Sequence, residues 1–390
     1  MPLPHYLQLA LTDGIGPILI GRLIEAQGSA DKVCRISLAE LREIEGIGRS
    51  KAEKIHASLR EAEKQVPLEI ARAEARGVII VCPEDDAYPP LLKLIPDPPS
   101  VLYIKGDIQP RDLNAIAIVG SRKCSFYGRE QAERFAALLA GAAFTVTSGG
   151  ARGVDSSAHR GAMQHTNGRT IAVLGCGLDV VYPPENDSLF EQIARRGAVI
   201  TEYPLGTPPM AENFPRRNRI ISGISRGVLV VEADERSGAL TTCRLCCEDH
   251  NRPVFALPGR ADNPLSAGPH KLIREGAILT TSLDHILEGL TPLPDEVTQV
   301  PTLFDALASS EESPTPASRH SNPPPPTHTL TERQQAILTA MSGPTPLDLL
   351  IDRTSLPAHE ILQEMTMLTL KGQVQRTSGQ TYERKTFINS

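Results

Sequence analysis

The chain has 390 residues, 40% apolar and 22% charged, an ordinary composition for soluble globular domains with room for two or three of them. A net charge of −6 excludes a global basic field, so any site for a polyanion must come from locally clustered cations. Seven cysteines without framework spacing argue against a disulfide scaffold, and no apolar run approaches the roughly 20 residues of a membrane span; with no signal-peptide pattern at the start, the expectation is a cytoplasmic protein with no membrane partner.

Residues 1–70 read as a small helical domain of the helix-hairpin-helix or SAM-like kind. Two related turns lie within it, "LTDGIGPILIGRLI" and "IEGIGRSKAEKI". In the second, Gly46 and Gly48 allow a tight turn with free amides at a helix start, followed by inward-facing Ala52 and Ile55. Arg49, Lys51 and Lys54 add charge there, so a phosphate cradle and simple helix packing both fit. The first copy carries Pro17 and Ile18 in place of the cations, which favours a structural role for it.

From residue 71 to 292 the rhythm is that of an extended Rossmann-like domain. Residues 78–106 hold two strand-like runs around a proline-rich connection, an edge extension to a larger sheet. "AIAIVG", "FTVTSG", "TIAVLG", "AVITEY", "VLVVEA" and "PVFALP" then recur at intervals of about 25 to 30 residues, separated by helical segments such as "GREQAERFAALLAGA" and "SSAHRGAMQHT". Fully apolar strands alternating with helices predict a parallel, doubly wound α/β sheet. Beyond it, 293–328 shifts to Pro, Ser, Thr and Glu and reads as a disordered linker. Residues 329–390 then give three helices and a hairpin, in the order of a winged-helix domain.

Ligands of an open α/β sheet sit beyond the carboxyl ends of its strands. The first such loop, "VGSRKCSFYG", brings Gly120, Ser121, Arg122 and Lys123 to a helix start, a combination suited to phosphate. It is not a dinucleotide fingerprint, because Gly-x-Gly-x-x-Gly is missing. "SGGARGVDSSAH" adds Arg152, and "GCGLDVVYPPEN" adds Tyr182. "ENFPRRNR" adds Phe214, Arg216, Arg217, Asn218 and Arg219, and "EADERSGALTT" adds Ser237 and Gly238, whose amides open a helix. Together the cations form a basic strip. With Phe126, Tyr127, Tyr182, Tyr203 and Phe214 in or beside these loops, the strip fits single-stranded nucleic acid, which asks for cations and stacking surfaces.

Asp155 and His159 share a helix face four residues apart and present two readings. One is an orienter with a general base; the other, favoured for want of a nucleophile, is a helix-start carboxylate above a packed histidine. "CRLCCEDH" invites a metal reading, but structural zinc normally takes a second ligand pair that the sequence lacks. No catalytic residue, metal or cofactor is expected.

In order, "YPPLLKLIPDPPSVLYIKGD", "IAIVGSRKCSFYG", "SGGARGVDSSAH", "TIAVLGCGLDVVYPPEN", "FPRRNRIISGISRGVLVVEADERSGALTT" and "VFALPG" resemble the DNA-processing protein A (DprA/Smf) family across about residues 80–285. The resemblance implies a non-enzymatic mediator without ATP use. It would bind and protect single-stranded DNA and load RecA recombinase onto incoming strands during natural transformation, as a homodimer, with single-stranded DNA-binding protein as a secondary partner. It assigns Gly120, Ser121 and Arg122 to a phosphate loop and matches Phe214, Arg217, Asn218 and Arg219, while Arg216 falls in a variable slot. Gly150 departs from the family, where a larger apolar residue is more common. The helix expected over 357–371 bears Glu360 and Glu364 against Lys371, poorly suited to gripping duplex DNA, so the winged helix is expected to be accessory. The competing class is a nucleotide-processing Rossmann enzyme, of the phosphoribohydrolase type that looks like lysine decarboxylases. Its Pro-Gly-Gly-x-Gly-Thr-x-x-Glu motif is absent from the corresponding "EADERSGALTT".

Overall fold

The apolar runs spaced along the middle of the sequence become strands β3 (Ala115–Val119), β4 (Thr145–Ser148), β5 (Arg169–Val173), β6 (Ala198–Thr201), β7 (Val228–Val230) and β8 (Val254–Ala256), every residue of them buried. The computed structural model describes residues 2–294, Val297, 332–341, 343, 345–354, 361, 365, 368, 374–376 and 381–384. With β1 (Ile79–Val81), β2 (Leu102–Gly106) and β9 (Ile278–Leu279), the sheet has nine strands in the order β1-β2-β6-β5-β4-β3-β7-β8-β9. Neighbours from β6 to β9 pair in parallel; β1 and β2 are the antiparallel extension that 78–106 predicts.

The chain runs outward from β3 to β6 and then returns to place β7 on the other side of β3. That reversal makes the carboxyl ends of β3 and β7 the switch point of the sheet, where such folds open a crevice. Helices α7 (Phe126–Gly141) and α8 (Val154–Gln164) follow β3 and β4. They pack tightly because Gly161 leaves room for the α7 backbone; a Cβ there would lie 2.2 Å from the Glu133 carbonyl oxygen.

The N-terminal helices are α1 (Leu3–Ala10), α2 (Pro17–Gln27), α3 (Ala30–Cys34), α4 (Leu38–Glu43) and α5 (Arg49–Glu74). Both glycine turns take positive φ, +85° at Gly14 and +82° at Gly46, a region in which glycine meets no Cβ penalty. The two copies pack together, since a Cβ on Gly14 would touch Ile55 at 3.6 Å. Ala52 and Ile55 are buried, in a cluster that also takes in Val78, Ile80 and Tyr103 from the edge of the sheet. Helices and sheet thus form one compact unit, Met1–Thr302.

A second unit spans Leu303–Ser390. It holds α14 (Glu332–Ala340), α15 (Leu347–Thr354) and a sheet of order β10-β12-β11, from Thr345–Pro346, Thr381–Arg384 and Val374–Arg376. Within the helix expected over 357–371, Ile361, Met365 and Leu368 are buried at helical spacing, whereas Glu360, Glu364 and Lys371 lie outside the described residues. The linker expected over 293–328 also lies outside them, apart from its first two residues and Val297.

Candidate nucleic-acid interface

At the carboxyl end of β3 the chain turns against the end of β7. Ser121 N–H donates to the Glu232 carbonyl at 2.6 Å, and Gly120 permits the approach, because a Cβ would sit 2.6 Å from Val154 and 2.8 Å from the Glu232 oxygen. Ser125 caps α7, accepting from Gly128 N at 3.1 Å. The Glu232 carboxylate closes the same helix end, taking Ser125 N–H and Oγ–H at 2.7 Å each and Asn263 Nδ2 at 3.3 Å. Gly128 leaves space for it; a Cβ would fall 2.3 Å from Glu232 Oε2. The protein therefore fills the positive end of α7 with its own carboxylate, and the loop's offering to an anion is the exposed side chains of Arg122 and Lys123.

Sequence reasoning places 214–219 in a loop, but the segment lies inside α10 (Asn213–Gly223). Helical geometry then separates its arginines. Arg216 faces solvent. Arg217 is only 3% exposed: Nη1 donates to the Gly149 carbonyl at 2.5 Å and to that of Val173. Burial lowers its pKa to about 10, against the counter-effect of the Asp155 carboxylate. Gly149 lies between the two and leaves no room for a side chain, since a Cβ there would fall 2.7 Å from each. Arg219, at 5% exposure, is tied to Glu202 by two hydrogen bonds of 2.8 and 2.6 Å and to Asp97 at 2.9 Å. The expectation that Arg219 grips DNA is therefore corrected: its charge is consumed by two carboxylates under the helix. Arg217 is committed to strand-end carbonyls.

A groove of about 720 Å³ opens at the switch point. It gathers Gly120, Ser121, Arg122 and Lys123 from the first loop, Phe214, Arg217 and Asn218 from α10, and Ser237 and Gly238 from the start of α11 (Gly238–Arg244). Arg216 does not line it. Asn218 Nδ2 bridges the two helices through the Gly238 carbonyl at 3.3 Å. One wall is aromatic: the Phe214 ring lies 5.4 Å from that of Tyr182, with the Arg122 guanidinium 5.4 Å from its centroid and that of Arg217 5.8 Å away. Asp155 and Asp234 also face the groove, so its charge is mixed. Arg152 stands in an adjoining crevice and pairs with Glu185, Nη2 to Oε2 at 2.9 Å, which compensates its charge. Sequence reasoning missed Glu232 and Asp234; a carboxylate directly after a buried strand, needing partners, was the available signal.

The Asp155–His159 pair does not form a dyad. Asp155 sits in the first turn of α8 and accepts from Ala151 N at 3.3 Å. His159 is wholly buried with Nδ1 2.7 Å from Thr170 Oγ1. The Thr170 hydroxyl gives its proton to the Val146 carbonyl at 2.6 Å, so Nδ1 carries the imidazole proton and donates. Burial lowers the His159 pKa from 6.5 to about 3. Between those values the unfolded chain binds the additional proton, so stability falls as pH falls from 6.5. At pH 5 the loss from this group is about 2 kcal/mol. His250, lowered by burial to about 4, acts in the same direction. Asp155, raised by burial, acts in the opposite direction. Denaturant titrations at pH 7 and pH 5 are expected to show this loss, reduced by about 2 kcal/mol in His159→Gln.

Gly150, with φ +64°, leaves its side-chain space to Phe190, whose ring would lie 2.7 Å from a Cβ. A larger residue here would displace that ring. Among the described residues no group of His, Cys, Asp and Glu is arranged to hold a metal ion.

A family model described as DNA recombination-mediator protein A matches residues 79–291, and one described as DprA winged helix domain matches 321–380. The chain is 34% identical to Protein Smf of Synechocystis, across 98% of each chain. It is 44% identical to DNA processing protein DprA of Streptococcus pneumoniae, over 52% of this chain and 71% of that one. The crystal structure of DNA processing protein A from Streptococcus pneumoniae superposes with a TM-score of 0.65 and 35% identity, covering 75% of this chain and all of that one.

Proposed function

Because the chain belongs to the DNA recombination-mediator protein A family, with a mostly parallel α/β domain and a C-terminal winged-helix domain, we propose that it binds single-stranded DNA in the switch-point groove and mediates recombination without covalent chemistry. One observation carries this reading: Arg122 and Lys123 project into the groove, where no residue of the protein ion-pairs with them among the described residues. They stand beside an aromatic wall and the edge of α11. Phosphates take the two cations, and unpaired bases meet Tyr182 and Phe214. A duplex, with its bases stacked inside, offers that wall nothing.

The family supports the rest of the assignment: protection of incoming strands, loading of RecA recombinase, a homodimer, a role in transformation and a place in the cytoplasm. No helix among the described residues is long and apolar enough to cross a membrane. The winged-helix domain has an accessory role. Against the enzymatic alternative stands His159, which has no exposure to the groove and makes its bond to Thr170.

The test is binding of a labelled oligonucleotide at physiological salt, as a single strand and as a duplex, with release of base or sugar assayed in parallel. Preference for the single strand without release supports the proposal. Equal binding of both forms, or release of base or sugar, overturns it.

A further inference from the structure

Helix α5 lies in the N-terminal helical segment, yet one of its carboxylates holds the loop that feeds the groove. Glu69 is 5% exposed. Its Oε1 accepts the backbone N–H of Leu205, far along the chain, at 2.8 Å, and its Oε2 accepts from Arg72 at 3.1 Å. Burial, and after it the Glu69 carboxylate, holds the Tyr103 phenol above its usual pKa. The next residue of the same turn is fixed from the β5 side: Asp179 Oδ1 accepts Gly206 N–H at 2.6 Å. Gly177 N–H donates to the Thr207 carbonyl at 3.0 Å, and Gly206 takes φ +83°.

From this turn the chain passes straight into the groove. Pro209 and Ala211 line it, and Phe214 forms its aromatic wall. Burying a carboxylate is unfavourable unless its acceptors are used, and the exposed half of the Arg72 pair contributes little stability. The hydrogen bond to Leu205 is the contact through which Glu69 reaches the turn.

We propose that Glu69 is a positioning residue for the groove, one that with Asp179 fixes the 204–207 turn so that Pro209, Ala211 and Phe214 stand in place before a strand arrives. The inference rests on the groove being the site for single-stranded DNA. It gives the N-terminal helices a part in binding that needs no phosphate contact of their own.

The experiment uses the full chain and its Glu69→Ala, Glu69→Gln and Asp179→Ala variants. It reads amide hydrogen exchange at Leu205 and Gly206 and affinity for a fluorescent oligothymidylate across a salt series. Both alanine variants are expected to exchange faster at the turn and to bind about three- to tenfold more weakly. Their salt slope stays that of the wild type, since no phosphate contact is removed. Glu69→Gln, which keeps an oxygen for Leu205, restores exchange and affinity. Wild-type exchange or wild-type affinity in Glu69→Ala overturns the inference, as does a glutamine variant no better than alanine or a reduced salt slope. Should Glu69→Ala fail to fold, Asp179→Ala, altered at a more solvated carboxylate, carries the same expectation. Failure of the wild type to bind the oligonucleotide would overturn the function assigned to the groove, while exchange at the turn would still report whether Glu69 holds it.

Discussion

Arg219→Met is expected to destabilise the protein by about 3–5 kcal/mol, the usual consequence of removing one partner from a buried ionic cluster. The arginine links Glu202, at the end of β6, to Asp97, in the connection before β2, from beneath α10. Methionine fills comparable space but leaves both carboxylates in a site built around a cation. Burial already raises the Asp97 pKa, and the Arg219 charge is what opposes that rise. With the cation gone, Asp97 takes up a proton more readily, so the deficit is expected to shrink as pH is lowered toward the carboxylate range. Denaturant unfolding at pH 7 measures the effect. A change below about 1 kcal/mol would show that the cluster is solvated rather than buried. Any loss of DNA binding by this variant follows from unfolding, although its sequence position suggests a direct contact.

Arg122→Ala combined with Lys123→Ala has the opposite profile. Both side chains are exposed, and the hydrogen bonds that shape their loop run through Ser121, Ser125 and Glu232. Stability is expected to stay within about 0.5 kcal/mol of the wild type, as for most surface substitutions. Affinity for single-stranded DNA is expected to fall at least about tenfold, because hydrogen bonds between charged groups contribute about 1.5–3 kcal/mol each. The arginine carries more of this than the lysine. Its guanidinium is oriented by the Phe214 ring and can meet a phosphate with two parallel bonds.

The sheet was legible because strands buried on both faces need continuous apolar runs, and six such runs stand in the sequence. Strand order and the switch point were not, since they depend on which strands pair after the chain reverses. That Gly120, Ser121 and Arg122 stand together at a strand end beside a helix start was legible, because their local order matters more than their surroundings. Segment 214–219 was not, because a run of cations gives no sign of which face a helix turns inward. Arg217 and Arg219 fall on the inner side of α10 and Arg216 on the outer, so the residues that match the family pattern are those committed to carbonyls and carboxylates. Glu69 escaped notice for a related reason. Its partner, Leu205, is a backbone amide on another element, and a backbone amide leaves no mark in a sequence.

The central claim is that a single strand is held by Arg122 and Lys123 in the switch-point groove. Its most direct test is the affinity of wild type and the Arg122→Ala, Lys123→Ala protein for one single-stranded oligonucleotide, measured as a function of salt. Each phosphate neutralised on a single strand contributes about 0.7 to the slope of log K against log salt. The predicted result is a slope lower by about 1.4 in the double variant, with at least about a tenfold loss of affinity near physiological salt. An unchanged slope and affinity in a folded double variant would contradict the claim and move the strand to another surface of the protein.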